Sequence, residues 1–251
     1  MSKIISIHSF RGGTGKSNTT ANLAALLAAG GKRVGVIDTD IQSPGIHVLF
    51  QLTGAAIVHS LNDYLWGRCT IEEAAHDVSA QVLNAGAGRL FLIPSSIQAD
   101  EIVNVLREGY DVGLLTEGFR NLIKALDLDF LLIDTHPGLN EETLFSIAIS
   151  HALIILMRPD QQDYEGTGVT VEVARSLDVP QMFLVVNKTP ASLVSADVKA
   201  RVEQTFNCEV AAVLPHSDEM MTLASSGLFT LHYPDHPLTA LYKEVAARVA
   251  G

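Results

Sequence analysis

The sequence predicts an α/β fold: a doubly wound, mostly parallel sheet with helices on both faces. Three observations predict it. Short apolar runs alternate with amphipathic segments from end to end, the order that builds right-handed strand–helix–strand crossovers. One run, Phe130-Leu131-Leu132-Ile133, is apolar without a break before Asp134, as in a strand buried on both faces. And 47% of the 251 residues are hydrophobic against 18% charged, with mean hydropathy +0.25, so much of the chain must leave water.

The elements follow in order. The first strand is Lys3–His8, which runs into a glycine-rich turn and then a helix over Lys16–Ala29 whose second half is rich in Ala and Leu. Later strands are expected at Arg33–Asp38, Arg89–Ile93, Phe130–Asp134, Ala152–Met157, Met182–Asn187 and Val210–Val213. Helical patterns cover Asp100–Arg107, Gly113–Ala125, Glu141–Ser150, Gly166–Leu177, Ser195–Phe206, Glu219–Ser225 and Pro237–Ala250. The stretch His47–Gly88 is less regular, holds the single tryptophan, Trp66, and reads as a short helical excursion after the second strand. In the last helix Leu238, Leu241, Val245 and Val249 recur at helical period and read as core packing. No linker, repeat or low-complexity tract divides the chain, so one domain over residues 1–251 is expected.

Bulk properties narrow the class. A chain this long buries enough surface to need no disulfide or structural metal. Cys69 and Cys208 stand far apart and outside any ligand spacing, as reduced thiols do. The net charge of −11 argues against a dedicated nucleic-acid binder while leaving room for a local basic patch. No apolar run approaches the roughly 18 residues of a membrane span. The chain begins almost directly with a strand, so no signal peptide and a cytoplasmic location are expected.

The turn Arg11-Gly12-Gly13-Thr14-Gly15-Lys16-Ser17 carries the chemistry. Strand, glycine-rich turn and helix N-terminus form the context in which such a loop binds phosphate. Gly12, Gly13 and Gly15 let backbone N–H groups turn inward around an anion, and the helix dipole adds about half a positive charge there. Lys16 is placed to reach β- and γ-phosphate oxygens and the Ser17 hydroxyl to ligate Mg2+. The strict G-x-x-x-x-G-K-[ST] pattern is not met, since Phe10 stands at its first glycine. A plain tight turn is the alternative. The flanking strand, the Lys16-Ser17 pair and the acidic sites downstream argue against it. Asp38 and Asp40 end the second strand. Two carboxylates beside a phosphate loop would repel a nucleotide unless Mg2+ intervened; the alternative is a polar turn capping the strand.

At these residues the sequence resembles the deviant Walker ATPases, the ParA/MinD group, whose loop reads Lys-Gly-Gly-x-Gly-Lys-[Ser/Thr]. The likeness runs through four further segments and covers essentially the whole chain. It implies a P-loop NTPase fold, ATP and Mg2+ as cofactors, and nucleotide contacts from Gly12 through Asn18, Thr14 included. Val36-Ile37-Asp38-Thr39-Asp40 resembles switch I, which gives Asp40 the attacking water and Asp38 the Mg2+ shell. Asp129–Gly138 resembles Walker B with switch II. Asp134 then holds Mg2+ through water and the Gly138 N–H senses the γ-phosphate. His136 replaces the usual proline, and both a satisfied loop histidine and a catalytic one stay open. Val185-Val186-Asn187-Lys188 resembles the segment whose asparagine bonds adenine, with Lys188 covering the base or solvated. Leu214–Asp218, containing Pro215, resembles the loop on the base's other side, and Gly227–Phe229 with Tyr233–Pro237 fits the group's C-terminal pattern.

Arg11 departs from the pattern, standing where the group has its signature lysine. Its planar fork suits phosphate oxygens, and it is expected to act as a trans arginine finger in an ATP-bound homodimer. The alternative is a contact within its own chain. The MinD branch ends in a basic amphipathic membrane helix. Here Lys243 and Arg248, offset by Glu244, carry too little charge for one, so no direct membrane anchor is expected. The ParA branch binds DNA non-specifically. Lys188, Lys199 and Arg201 would contribute if they cluster, and read as a solvated face on charge alone.

The resemblance points to a positioning or partitioning ATPase with weak intrinsic turnover that a partner protein stimulates. A synthetase- or amidotransferase-like enzyme on the same scaffold is the alternative, against which Arg11 counts. An electron-transfer reductase would need cluster-ligating cysteines near switch II, and none occur between Cys69 and Cys208. A tyrosine kinase would carry a tyrosine-rich tail, whereas only Tyr233 and Tyr242 lie near this end. A non-hydrolysing nucleotide-gated adaptor is the third class; Asp40 and Asp134 together favour turnover over it.

Overall fold

The computed structural model of the chain describes residues 2–83 and 88–251. Among the described residues eight strands hydrogen-bond into one sheet: β1 (Lys3–His8), β2 (Arg33–Asp38), β3 (His76–Asp77), β4 (Arg89–Ile93), β5 (Phe130–Asp134), β6 (Ala152–Met157), β7 (Gln181–Thr189) and β8 (Val210–Pro215). Their order is β3-β4-β2-β5-β1-β6-β7-β8, parallel throughout except for β3 against β4. The chain moves outward from β1 to one side and later returns through β5 to build the other. This reversal places a crevice at the C-terminal ends of the central strands, where open α/β sheets bind ligands.

The uninterrupted apolar strands bury both faces, and their side chains divide by alternation. Along β5, Phe130 and Leu132 enter one core, while Leu131 and Ile133 enter another on the opposite face. Along β6, Ala152, Ile154 and Leu156 join the first core, and Leu153, Ile155 and Met157 a third. The first face is covered mainly by α1 (Lys16–Ala29), with α2 (Ile46–Leu49) packing beside it. The other face takes α3 (Leu61–Leu65), while the short α4 (Ser79–Val82) lies near β4 on the first. Then come α5 (Ala99–Glu108) and α6 (Gly113–Ala125), both on the second core, followed by α7 (Glu141–Ala148). α8 (Gln161–Ser176) and α9 (Ser195–Phe206) build the third core. α10 (Asp218–Leu223), α11 (Phe229–His232) and α12 (Pro237–Ala250) return to the first, where Leu238, Tyr242, Val245 and Val249 pack as the helical period predicts, while Leu241 is only partly buried.

α1 is buried on nearly every side, because its small residues let α12 and α11 close over it: Ala21, Ala24, Ala25 and Ala28 are all inaccessible. Asn22 ties the layers polarly, its amide donating to Asn18 O at 2.8 Å and its Oδ1 accepting from Thr230 N at 2.8 Å.

Several boundaries differ from expectation for local reasons. α8 begins five residues before Gly166, since Asp160 caps it by accepting from Asp163 N at 3.0 Å. β7 runs on to Thr189 and β8 to Pro215, because the two keep pairing beyond Asn187 and Val213. The irregular stretch after β2 holds more than a helical excursion. It contains α2, α3, α4 and the two-residue β3, which pairs antiparallel at the sheet edge; the part of the expected His47–Gly88 stretch at residues 84–87 lies outside the described residues, as does Met1 of the N-terminus.

Candidate functional site

β1 ends at His8 and the chain turns through the glycine loop into α1. Gly13 and Gly15 take φ of +76° and +100°, which a side chain would strain. Gly15 is the N-cap of α1, and no side chain among the described residues caps that helix. The amides of its first turn are therefore left to face whatever lies before them. Thr14 is buried and its hydroxyl has no partner among the described residues, and Lys16 is buried at 7% exposure. Such a cradle, with an inward cation and unclaimed donors, suits a polyanion.

The carboxylates stand opposite. Asp38 and Asp134 end the neighbouring strands β2 and β5 and pair in register. Both are buried at 1% exposure. Asp38 Oδ1 accepts from Asp40 N at 3.0 Å and Oδ2 from Gly45 N at 3.4 Å. Thr20, one turn into α1, donates to Asp134 Oδ1 at 3.1 Å. Burial first, and then its partner's charge, pushes Asp38 well above the usual carboxylate range. Burial likewise raises Asp134, against the pull of Lys16 and of the Ser17 and Thr20 hydroxyls. Two acidic groups buried side by side on neighbouring strands call for a proton or a cation between them. A hard divalent cation with the Ser17 hydroxyl as a further oxygen ligand fits that donor set.

Asp40 lies beyond the strand end, its Oδ1 2.7 Å from His136 Nδ1. Gly138, at φ +85°, does not offer its N–H freely. That group donates to Ser9 O at 3.1 Å, so it must give up this carbonyl before it can meet a phosphate. Arg11 is likewise engaged within its own chain, 3.5 Å from Asp163 Oδ1 and 3.8 Å from Asp160 Oδ1 at the start of α8.

Beside the loop lies a cavity of about 380 Å³ bordered by Gly15, Asn18, Asn187, Pro215, Met220 and Tyr242. That volume falls within the range of about 300–1,000 Å³ usual for small-molecule pockets. Asn187 forms its wall and donates to Thr14 O at 2.8 Å, tying the wall to the loop. Lys188, at φ +55°, donates to Gly13 O at 2.8 Å. It is therefore fixed to the loop, whereas Lys199 pairs with Glu203 on its own helix and Arg201 covers the Tyr164 ring. Each of the three cations thus has a partner of its own.

Every residue that the sequence assigned to the loop, the metal and the base thus lies along one rim of the sheet. The sequence missed four neighbours. His8 is buried, its Nδ1 2.8 Å from the Thr135 hydroxyl, and burial with the Lys16 charge holds it down to about 3, hence neutral. Thr20 supports Asp134, and Asp160 and Asp163 hold Arg11. Of these, only the Asp160-x-x-Asp163 helix-start pattern left a signal in the sequence. Phe10, at the missing first glycine, lays its ring against Gly166 of α8, where a Cβ would overlap it.

A sequence profile described as an AAA domain matches residues 2–178. An uncharacterised ATP-binding protein of Methanocaldococcus jannaschii is 27% identical over 100% of this chain and 89% of its own length. The septum site-determining protein MinD of Bacillus subtilis is 24% identical over 100% of this chain and 90% of its own. Among solved structures, MinD of Pyrococcus horikoshii complexed with Mg-ADP superposes with a TM-score of 0.79 at 20% identity, covering 99% of this chain and 96% of that one. A ParA family ATPase from Chlorobium tepidum gives 0.77 at 18% identity, covering 98% and 99%. The uncapped loop, the buried carboxylate pair and these likenesses agree: the chain belongs to the AAA-domain family, as a ParA/MinD-like P-loop ATPase.

Proposed function

We propose that this chain is a Mg2+-dependent ATPase that forms a sandwich dimer with ATP and acts in the cytoplasm, as one domain over residues 1–251, to position or partition DNA or a protein cargo. The observation that carries the reading is the buried pair Asp38 and Asp134, in register beside an uncapped helix N-terminus and the buried Lys16. Its relatives' names point the same way: MinD is named for septum-site determination, and one MinD is complexed with Mg-ADP.

Magnesium-bound ATP supplies the electrophilic phosphorus and the charge that the carboxylates balance. The chain supplies the rest. The amides from Gly12 to Asn18, with Thr14, hold phosphate oxygens, Lys16 neutralises the β and γ groups, and Ser17, Asp38 and Asp134 surround the metal. Asp40 orients a water for attack, while Asn187 and Pro215 flank the base. Arg11, bound to Asp160 and Asp163 in the single chain, leaves them to reach the partner's phosphates in the dimer. A finger of this kind is worth about 10³–10⁵ in rate where it is complete. Turnover by the chain alone is therefore weak, and a partner protein that completes the site accelerates it.

Light scattering with ATP, with ADP and with neither tests this, alongside phosphate release. Dimers with ATP alone, lost in Arg11→Ala while nucleotide affinity holds, are the expected result. An ATP-independent monomer with unaltered hydrolysis in Arg11→Ala defeats the dimer and the trans role together. Salt-sensitive DNA binding, measured at two salt concentrations, separates a DNA-bound cargo system from one that uses another surface.

A further inference from the structure

We propose that His136 is a positioning residue for hydrolysis: it fixes the carboxylate of Asp40 so that one oxygen is committed to the protein and the other is presented to the attacking water. This rests on the ATPase reading above and adds to it a residue whose role was open.

The two side chains meet across neighbouring strand ends. Asp38 and Asp134 are register partners, and Asp40 and His136 lie two residues beyond each. His136 Nδ1 stands 2.7 Å from Asp40 Oδ1. An ionised carboxylate only accepts, so Nδ1 carries the proton and donates. Ser43 N, which also donates to the main-chain carbonyl of Asp40 at 3.1 Å, reaches the same oxygen at 3.2 Å. Both donors therefore converge on Oδ1, and Oδ2 accepts no hydrogen bond from the described residues. Rotating the carboxylate would break the His136 bond and leave Ser43 N on the main-chain carbonyl alone, and bonds to an ionised acceptor are among the stronger ones.

The histidine is itself held. Its carbonyl accepts from Thr143 Oγ1 at 3.3 Å, and Asn140 caps α7 by accepting from Thr143 N at 2.8 Å. Gly138, two residues on, is tied to the segment between β1 and the phosphate loop through Ser9 O. Side-chain exposures of 21% for His136 and 13% for Asp40 place the pair at the mouth of the site, partly shielded yet open to a water. A merely satisfied loop histidine would need none of this convergence. Here its proton goes to the carboxylate assigned to the water, rather than to a neighbouring carbonyl.

The geometry of the donor supplies the test. Asn places its amide nitrogen about where imidazole carries Nδ1, whereas Gln reaches as far as Nε2. His136→Ala, His136→Asn and His136→Gln are compared for phosphate-release kcat, for the Kd of a fluorescent ATP analogue and for melting temperature. In the ligand-free protein, nitrogen NMR of the histidine follows the Nδ1–H signal with and without Asp40→Ala. Misplacement of a reacting group by about 1 Å can cost 10²-fold, so H136A is expected to lose about 10- to 100-fold in kcat with Kd within about twofold. H136N should recover most of that loss and H136Q little of it, and D40A should shift the Nδ1–H signal. If H136A melts early, the N/Q pair decides, since both keep a polar side chain at the position.

Unchanged kcat in H136A, equal rescue by Gln and Asn, Kd rising in step with the loss of kcat, or an Nδ1–H signal indifferent to D40A would each overturn the role. Absence of turnover in the unaltered protein would instead overturn the ATPase reading, and this role with it.

Discussion

Gly15→Ala and Gly13→Ala should differ in cost, although both glycines adopt left-handed backbone. Gly13 has φ +76° and a Cβ added there would meet nothing within 4 Å, whereas Gly15 has φ +100° and its Cβ would fall 2.5 Å from Asn187 Nδ2. The backbone strain is common to both, about 1–2 kcal/mol each. At Gly15 the amide of Asn187 must also leave Thr14 O, which it now meets at 2.8 Å. Losing that bond adds about 1 kcal/mol, or up to about 3 if the carbonyl is left without a partner. G15A is therefore expected to cost about 2–5 kcal/mol and G13A about 1–2. Urea unfolding followed through Trp66, the single tryptophan, reads both. Combining each with Asn187→Ala isolates the clash, because G15A should lose its excess cost once the amide is gone. Equal costs for the two single variants, or an excess that survives in the Asn187→Ala background, would refute the reasoning.

Other expectations follow from the same geometry. Asn187→Ala, which removes both the tie to Thr14 and the wall of the cavity, should weaken ATP binding about tenfold, roughly 1.4 kcal/mol, as titration calorimetry would show. Asp134→Asn should raise the Mg2+ concentration needed for half-maximal nucleotide binding by about tenfold or more, while metal-free binding holds or improves because a buried charge is gone. Glu142 behind the switch loop is raised to about 7, by burial first and with the Asp40 charge adding to it, against the Tyr110 hydroxyl. A carboxyl whose folded value lies above its unfolded one binds more protons when folded, so its contribution falls as pH rises from about 4.5 through 7. Glu142→Gln should thus stabilise the chain above pH 7, by at most about 3 kcal/mol, and flatten denaturation midpoints measured between pH 5 and 8; a slope unaltered in E142Q would remove Glu142 as its source.

Much of the fold was legible because strands such as β5 and β6 are buried on both faces and so read as unbroken apolar runs. The phosphate loop was legible for a local reason: its glycines, lysine and serine are consecutive, and helix and strand flank them in the chain. What the sequence could not express was proximity between distant segments. β3 is two residues long and exists only because β4 offers it an edge. Helix starts were mistaken where a cap mattered more than the apolar period, as at Asp160.

At the site the same division holds. Lys16, Ser17 and Asp38 stood out as candidates by residue type and their place beside the loop, and Asp134 and Asn187 by the resemblance to the ParA/MinD group. That Asp38 and Asp134 lie side by side, that His8 is forced neutral beside Lys16, and that Arg11 rests on Asp160 and Asp163 were decided by the sheet order alone. The reason is physical. Hydrophobic periodicity and turn chemistry act over a few residues and are written in the chain, whereas charge interaction and desolvation depend on distances that exist only once the strands have paired.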